Sequence, residues 1–541
     1  MNNSIYRFPL PTNEPIYSYM EGSKERIALF SELERLKNQQ HDVPCIIGGK
    51  EYFTGNTTNI LMPHDHKNPL GKYHNVGEKE LDLAVEAAMK AHREWSDTPF
   101  TVRASILNKA AELITGKYRA LLSAATMLGQ SKNIFQSEID AVCETVDFLR
   151  FNAHFASKIY EFQPASSANM MNSMEYRALE GFVFTVSPFN FTAIASNLNM
   201  SAVLMGNVTI WKPASTAILS NYYLMKIFQE AGVPDGVINF IPGKGSMIGR
   251  RIMKDSNLAG VHFTGSNNTF NTLWKQVGEN LTSYKSYPRL VGETGGKDFI
   301  FVHPSADALE VAVNALRGSF EYQGQKCSAA SRMYMPASLW PKVKDTMVSL
   351  LSEIKMGDVM DPANFVNAVI DQPAYDTIMD YIRYAEASSD AKIVCGGKGD
   401  NSVGYFIQPT IIETTNPKFK TMEEEIFGPV LTVWVYEDAK LEEAIHLCDT
   451  TSPYGLTGAI FGRDRMALEK MTQQLRYAAG NFYINDKPTG AVVGQQPFGG
   501  SRGSGTNDKA GGELNLIRWV SARTIKETFN PPIDYRYAYM L

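Results

Sequence analysis

Apolar positions follow two different patterns along this chain. Helical spacing comes first and predicts helices, and short apolar runs between helical segments follow and predict a parallel sheet. Residues 78–95 carry apolar side chains at helical spacing, and similar segments continue to about residue 157. Residues 163–177 are rich in Ser, Asn and Met and show no such stripe, which indicates a loop or an extended arm. We therefore expect residues 78–157 to be mainly helical.

Four short apolar runs then follow at regular intervals, starting near Phe182, Val208, Val237 and Val261. Helical patterns separate them, at 191–205, 217–231, 245–254 and 268–278. Apolar strands that alternate with helices predict βαβ units around a buried parallel sheet. Each strand runs into turn or cap residues. Because ligands of such sheets bind beyond the carboxyl ends of the strands, these turns are expected to line one crevice.

A second α/β region is predicted from Phe299 onward. Its pattern is a strand, a helix over 306–322 and further apolar strands that include VLTVWVY and LTGAIFG, with a helix over 439–450 between these two. Residues 514–541 partly alternate, which predicts a strand or an arm that packs on another subunit. A length of 541 residues is too great for one core, so two or three domains are expected.

Composition and charge exclude several functional classes. A net charge of -5 and no basic cluster argue against binding to nucleic acid or to an anionic membrane surface. The sequence has no apolar run long enough to span a bilayer. Because the N-terminus lacks a signal core and an Arg-rich transit pattern, we expect a cytoplasmic protein, or a mitochondrial matrix protein if a presequence was removed. The 5 cysteines show no CxxC spacing, so we expect neither a disulfide framework nor a metal site.

Two residues in glycine-rich turns are candidates for covalent chemistry. Cys327 follows the turn of GQKCSA, and Glu293 stands in ETGGKD. A lone cysteine is usually a small buried residue, and a carboxylate in such a turn is usually solvated. The alternative is that Cys327 is a nucleophile and Glu293 a general base.

Three further candidates follow the predicted strands. Asn190 is either a helix cap or an amide donor to an oxyanion. Lys212 is either a surface lysine or a donor to the ribose of a dinucleotide. Gly265 and Ser266 lead into a helix whose first N–H groups suit a pyrophosphate.

Seven motifs together resemble one family. SPFNFT, WKPAS, FTGS, ETGGKD, GQKCSA, EEEIFGPV and QPFGG occur in this order, as in NAD(P)-dependent aldehyde dehydrogenases, and the resemblance covers nearly the whole chain. Residues 481–512 and 149–156 and the C-terminal tail are most similar to the delta-1-pyrroline-5-carboxylate dehydrogenases. The resemblance implies NAD-dependent oxidation of L-glutamate γ-semialdehyde to L-glutamate through a cysteine thiohemiacetal and thioester, the second step of proline catabolism.

The resemblance also implies the architecture of an α/β, aldehyde-dehydrogenase-like fold. Residues 1–162 and 181–297 are expected to form a Rossmann-type NAD-binding domain, and 298–513 an α/β catalytic domain. Residues 163–180 and 514–541 match a small β oligomerisation flap. A homodimer or a larger assembly of dimers is therefore expected.

Roles for individual residues follow from the same resemblance. The catalytic set is Cys327, Glu293 and Asn190. The residues expected to bind the cofactor are Ser187, Pro188, Phe189, Lys212, Gly265, Ser266, Glu425 and Phe427. Those expected to bind the substrate are Phe191, Ser328, Gly490, Ala491 and Phe498, where core packing is the alternative for the two phenylalanines.

Two departures from the family pattern affect the cofactor. Ser215 stands where many relatives have a glutamate that repels a 2′-phosphate, so NADP remains as a weaker alternative to NAD. Phe270 replaces the last glycine of the GSTxxG pattern, so pyrophosphate binding is expected to differ in detail.

Three rival functions remain open. Another semialdehyde dehydrogenase, such as one for succinate semialdehyde, would use the same chemistry. A cysteine hydrolase would need a partner histidine, and none of the 9 histidines stands in a recognisable motif for it. A non-catalytic binding protein of the same family would be favoured by loss of Cys327 or Glu293, and both are present.

Overall fold

The computed structural model describes residues 6–541 and contains two seven-stranded sheets that follow each other along the chain. In the first sheet five strands run parallel, and a short antiparallel pair extends one edge. In spatial order its strands are Arg289–Glu293, Leu258–Thr264, Phe182–Val186, Val208–Lys212, Ile238–Phe240, Cys45–Ile47 and Lys50–Tyr52.

The central strands of this sheet are apolar because helices pack against it. All seven residues of Leu258–Thr264 are buried. The connecting helices are Thr192–Leu204, Ile218–Ala231, Gly245–Ile252 and Asn267–Glu279. The predicted alternation of strands and helices is confirmed, although the strand expected from Val261 begins at Leu258.

The edge strand Arg289–Glu293 differs from the sequence-based expectation. Glu293 ends this strand and pairs in register with Thr264, whereas the sequence placed it in a glycine-rich turn. Gly292 has no side chain because the ring of Phe270 occupies that space, where a Cβ would lie 2.2 Å from the ring. Gly292, which suggested a turn, therefore lies in a strand and leaves room for the Phe270 ring.

The second sheet has six parallel strands and one antiparallel edge strand. In spatial order these are Ala391–Cys395, Thr410–Thr414, Val430–Tyr436, Ala330–Pro336, Asp298–Val302, Thr457–Phe461 and Asn481–Ile484. Its longer helices are Ala308–Phe320, Trp340–Glu353, Gln372–Glu386, Leu441–Thr450 and Arg465–Gln474. The helices predicted over 306–322 and 439–450 are therefore confirmed within two residues at each end.

A helical layer precedes the central strands of the first sheet along the chain, as expected for residues 78–157. Its helices are Lys24–Asn38, Glu78–Asp97, Phe100–Thr115, Arg119–Gln130, Ile134–Ser137 and Thr145–Glu161. The π-helical turn Glu138–Glu144 lies between the last two, and such turns recur at functional sites. Short strands and helices complete the fold at His41–Val43, Thr57–Ile60, Gly71–His74, Lys355–Met356, Asn364–Val366, Gly399–Asp400, Phe406–Ile407, Lys420–Glu423, Tyr454–Gly455, Ser501–Arg502 and Glu513–Leu516. Within the described residues, no helix is both long enough and apolar enough to cross a membrane.

The predicted arm and the C-terminal tail form one two-stranded ribbon. Met170–Arg177 pairs antiparallel with Ser521–Thr528 over eight residues of each strand. The ribbon is largely exposed, and Met171 and Ile525 keep 48% and 41% of their surface. A two-stranded ribbon on its own is only marginally stable, and here Tyr176 attaches it to the helical layer by packing on Tyr160.

Candidate functional site

Cys327 lies where two cavities meet. A smaller cavity of about 510 Å³ and a larger one of about 830 Å³ both include Cys327 in their walls. Phe263 and Thr264, at the carboxyl end of a parallel strand, also line both cavities. A molecule in each cavity can therefore approach the same sulfur atom from its own side.

The backbone before Cys327 has an unusual conformation that presents this residue. Tyr322, Gln323 and Gly324 all have positive φ, at 52°, 55° and 66°. At Gly324 a Cβ would lie 2.2 Å from the carbonyl oxygen of Gly428, so only glycine fits. Hydrogen bonds from the Tyr322 hydroxyl and the Gln323 side-chain amide to backbone carbonyls hold the two strained residues in place.

The surroundings of the thiol disfavour its ionised form. Burial raises the pKa of the Cys327 thiol well above its ordinary value, and the carboxyl groups of Glu293, Asp298 and Glu425 raise it further. The thiolate is the nucleophile. Attack at this site therefore requires either a base that takes up the thiol proton or an electropositive group that offsets the negative charge of the thiolate.

Glu293 lines the smaller cavity together with Cys327. Burial raises the pKa of its carboxyl group to about 8, while the Lys509 ammonium opposes that shift. Oxygen Oε1 is buried and has no hydrogen-bond partner among the described residues. A buried carboxyl group with a free oxygen and a pKa near neutrality has the properties of a general base.

Asn190 is buried beside the same loop and lines the larger cavity. Its Nδ2 donates a hydrogen bond of 3.0 Å to the carbonyl oxygen of Gln325. This bond fixes the orientation of the amide and uses one of its two N–H groups. Of the two roles expected from the sequence, the structure excludes the helix cap, because the N-terminal cap position of the following helix is Phe191. The role of amide donor to an oxyanion stays a prediction.

All residues predicted to bind the cofactor line the larger cavity. These are Ser187, Pro188, Phe189, Lys212, Gly265, Ser266, Glu425 and Phe427. Burial lowers the pKa of the Lys212 amine to about 8. Ser266 caps the helix Asn267–Glu279, whose N-terminus carries the partial positive charge that suits phosphate oxygens. An amine, a helix N-terminus and a carboxylate in one cavity fit the ribose and pyrophosphate groups of a dinucleotide.

Two adjacent glycines allow Glu425 to approach the backbone. Gly296 N–H donates to Glu425 Oε1 at 3.0 Å, and a Cβ on Gly295 would lie 2.1 Å from the same carboxylate. Burial raises the pKa of Glu425 to about 7. Phe427 has a φ of 56° and meets Phe189 edge to face at 5.8 Å, so the two rings lie together at the cavity wall.

The two departures from the family pattern have different structural settings. Ser215 is exposed at the start of a 3₁₀ turn, close to Lys212 in the chain. Phe270 is 5% exposed and stacks on Phe263 at 5.5 Å. Phe270 thus belongs to the core beneath the strands, where a glycine would leave a void against Gly292.

All residues predicted to bind the substrate line the smaller cavity. These are Phe191, Ser328, Gly490, Ala491 and Phe498. Residues 490–496, here called the anchor loop, begin at Gly490, whose φ of 93° favours glycine. The Ser328 and Thr489 hydroxyl groups share a hydrogen bond of 2.7 Å, which ties the start of this loop to the residue after Cys327.

The sequence did not indicate a buried group of charges behind Phe191. Lys132 is fully buried, forms an ion pair of 2.7 Å with Asp140, and lies 4.0 Å from the centre of the Phe191 ring. Asp140 also accepts hydrogen bonds from the N–H groups of residues 192 and 193, at the start of a helix. Glu144 from the same π-helical turn lines the smaller cavity, and burial raises its pKa to about 8.

Replacement of Lys132 by methionine is expected to lower the free energy of unfolding by about 3–5 kcal/mol, because it leaves the Asp140 carboxylate buried without its partner. Urea denaturation measures this loss. The surface variant Lys158→Met, which breaks an ion pair of 3.6 Å between half-exposed side chains, is expected to cost less than about 1 kcal/mol. Equal losses in the two variants would contradict the assignment of Lys132 as a structural cation.

Comparison with known proteins shows the family of this chain. Residues 53–525 match the model of the aldehyde dehydrogenase family. The mitochondrial delta-1-pyrroline-5-carboxylate dehydrogenase of Dictyostelium discoideum is 53% identical over 536 residues, which cover 98% of this chain and 96% of that protein. The human mitochondrial enzyme of the same name is 47% identical over 529 residues, covering 98% and 94%.

Solved structures give the same result for the fold. The delta-pyrroline-5-carboxylate dehydrogenase of Mycobacterium tuberculosis bound with NAD superposes with a TM-score of 0.96 at 46% identity, covering 100% of both chains. The 1-pyrroline-5-carboxylate dehydrogenase from Thermus with bound NAD has a TM-score of 0.90 at 32% identity, covering 96% of this chain and 99% of that one. The chain therefore belongs to the aldehyde dehydrogenase family.

Proposed function

We propose that this protein oxidises L-glutamate γ-semialdehyde, which forms from delta-1-pyrroline-5-carboxylate, to L-glutamate with NAD as the hydride acceptor. The observation that carries the proposal is the position of Cys327 between the two cavities. An aldehyde bound to this sulfur from the smaller cavity would face a dinucleotide in the larger one. The names of relatives that match over nearly their full length support the substrate, and two neighbouring structures bound with NAD support the cofactor.

The first step is attack of the Cys327 sulfur on the aldehyde carbon, and the thiol proton passes to the solvent. The aldehyde oxygen becomes the negatively charged oxygen of a hemithioacetal. The free N–H of the Asn190 amide and the backbone N–H of Cys327 stabilise this oxygen. One such donor typically lowers the barrier by roughly 3–4 kcal/mol.

The larger cavity holds the dinucleotide through the groups already described. Lys212 binds the adenosine ribose, Ser266 and its helix bind the pyrophosphate, and Glu425 binds the nicotinamide ribose with Phe427 beside it. When bound, NAD would supply the acceptor for the hydride of the hemithioacetal carbon. Cys327 then carries the acyl group as a thioester, two electrons more oxidised than the aldehyde.

Glu293 completes the reaction by hydrolysis of this thioester. Its carboxylate takes a proton from water, whose oxygen attacks the acyl carbon, and the Cys327 sulfur leaves as thiolate. Glu293 lines the smaller cavity, on the side of Cys327 where the acyl group lies. The proton held by Glu293 then passes to this thiolate, so the products are the carboxylic acid and the free thiol.

Recognition of the amino acid part relies on the anchor loop. The backbone N–H groups of Gly490 and Ala491 supply donors for a carboxylate without a bulky side chain. Phe191 and Phe498 enclose the aliphatic part, and Ser328 lies next to the reacting carbon. The Glu144 carboxyl group in the wall gives the cavity an acceptor that suits an ammonium group.

Domain organisation and assembly are part of the proposal. The two sheets support an NAD-binding domain of residues 1–162 and 181–297 and a catalytic domain of residues 298–513. The exposed ribbon of Met170–Arg177 and Ser521–Thr528 supports a flap that a second copy covers in a homodimer or in an assembly of dimers. The word "mitochondrial" in the names of the Dictyostelium and human relatives favours the matrix over the cytoplasm.

Initial rates of NADH formation test the proposed substrate. We expect kcat/KM for pyrroline-5-carboxylate to exceed that for propanal by at least about a hundredfold, because only the former has a carboxylate and an amine for the cavity to bind. Replacement of NAD by NADP is expected to lower the rate. A preference for succinate semialdehyde would contradict the proposed substrate but agree with the proposed mechanism. A preference for propanal would contradict the proposed role of the anchor loop.

A further inference from the structure

The outer wall of the smaller cavity contains residues from the beginning of the chain. Asn13, Glu14 and Ile16 line it together with the anchor loop, which is more than 470 residues away in the sequence. We call residues 13–16 the N-terminal strap. None of the sequence motifs and none of the catalytic steps described above involves this strap.

Buried charges fix the strap to the helical layer. The Glu14 carboxylate, whose side chain is 8% exposed, pairs with Arg119 at 2.9 Å and with Arg150 at 2.8 Å. Arg119 also donates to the carbonyl oxygen of Pro15 at 3.0 Å. Because both oxygens of a mostly buried carboxylate are paired, the strap has a defined position on these helices.

Asn13 connects this fixed strap to the anchor loop. Its Nδ2 donates to Asp147 Oδ2 and to the carbonyl oxygen of Val493, both at 2.8 Å. Its Oδ1 accepts a hydrogen bond of 2.9 Å from Gln495 Nε2. The amide thus uses both N–H groups and its oxygen, one bond toward the helical layer and two toward the loop.

Hydrogen bonds within the loop hold residues 492–496, where the Val492 N–H donates to the Gln496 side chain and the N–H groups of Gln495 and Gln496 donate to the Val492 carbonyl oxygen. The first residues of the loop depend more on support from outside. Gly490 and Gly494 have φ values of 93° and 81°, and glycine has the widest backbone freedom of all residues. The Val493 side chain packs with Phe148 and Phe151, which holds the loop at one point. The two hydrogen bonds to Asn13 also fix the orientation of the loop, because they hold the backbone carbonyl of Val493 and the side chain of Gln495.

We infer that Asn13 is a positioning residue that holds the anchor loop so that the N–H groups of Gly490 and Ala491 face the carboxylate of the substrate. The inference rests on the proposed function, because it concerns the loop that binds this carboxylate. Asn13 would then act on the affinity for substrates that carry a carboxylate, and would leave the reactivity of Cys327 and the binding of the dinucleotide unchanged.

The test compares steady-state kinetics of Asn13→Ala with those of the unmodified full-length enzyme. Loss of two hydrogen bonds to the loop is expected to raise KM for pyrroline-5-carboxylate roughly five- to thirtyfold. We expect kcat to change less than about twofold, and KM for propanal and NAD to stay the same. Asn38→Ala is the matched control, since it removes a surface hydrogen bond from Asn38 to Glu34 outside the cavity. It is expected to change none of these values.

Asn13→Asp provides a second variant of nearly the same size. It keeps an acceptor for Gln495 and loses both donors, so it is also expected to raise KM for pyrroline-5-carboxylate. Binding of L-glutamate, measured by calorimetry, is expected to weaken in parallel in both variants. This readout does not depend on turnover.

The outcomes separate this inference from the proposed function. If the unmodified enzyme does not oxidise pyrroline-5-carboxylate, the proposed function fails and the inference fails with it. If it does so and Asn13→Ala has an unchanged KM and unchanged L-glutamate binding, the inference alone is overturned. Equal losses of kcat/KM for propanal and for pyrroline-5-carboxylate, together with a lower melting temperature, would also overturn the inference, because they indicate a purely structural role.

Discussion

Replacement of Cys327 by alanine is expected to abolish NADH formation from pyrroline-5-carboxylate and to leave the binding of NAD intact. The sulfur forms the only covalent bond to the substrate in the proposed mechanism, so its loss removes the hemithioacetal and the thioester together. Loss of a nucleophile of this kind typically costs about four to six orders of magnitude in kcat. NADH absorbance recorded over hours sets the upper limit of the residual rate.

A second cysteine gives the matched control for this experiment. Cys395 lies in the edge strand Ala391–Cys395 of the second sheet and is partly exposed. Cys395→Ala is expected to keep normal turnover, and titration of NAD fluorescence quenching is expected to give the same affinity for both variants. Residual oxidation by Cys327→Ala at a tenth of the normal rate would show that another group carries the aldehyde, which would contradict the mechanism.

The pattern of apolar residues was sufficient to predict the central strands, because strands buried on both faces must be apolar throughout. Phe182–Val186 and Val208–Lys212 begin at the residues that the pattern indicated. The pattern failed at Arg289–Glu293, which lies at an edge and contains two charged residues and a glycine. An edge strand needs fewer apolar residues, so its sequence is less distinct from that of a turn.

Every residue that the motifs assigned to the cofactor or the substrate lines one of the two cavities, but the motifs did not indicate the groups that hold these residues in place. The positive φ of Tyr322 and Gln323 has no signal in the sequence, because neither residue favours that conformation. Lys132 resembles an ordinary surface lysine until the fold brings the helix start at residues 192 and 193 to its partner Asp140. Such contacts join distant segments, and only the folded chain reveals them.

Glu293→Gln is expected to separate the oxidation step from hydrolysis. The substitution preserves the size of the side chain and removes its ability to accept a proton from water. NADH should then form in a burst of about one equivalent per active site, followed by a steady-state rate about 10²- to 10⁴-fold below normal. Stopped-flow absorbance measures the burst, and intact-protein mass spectrometry after quenching should detect the acyl group on Cys327.

The pH dependence gives an independent check on the same carboxyl group. Because burial raises the pKa of Glu293 to about 8, much of this group is protonated at neutral pH and cannot act as a base. The rate of thioester hydrolysis in the unmodified enzyme is therefore expected to rise with pH and to level off above pH 8. In Glu293→Gln this rise should disappear from the hydrolysis step.

The surface variant Glu279→Gln, whose carboxylate is 59% exposed, serves as the control and should show normal hydrolysis. A Glu293→Gln enzyme that lost the burst and the steady-state rate in equal measure would contradict the assignment. That result would place Glu293 before hydride transfer, as the base that removes the proton of Cys327. The burst amplitude thus decides which of the two protons, that of water or that of the thiol, the buried carboxylate receives.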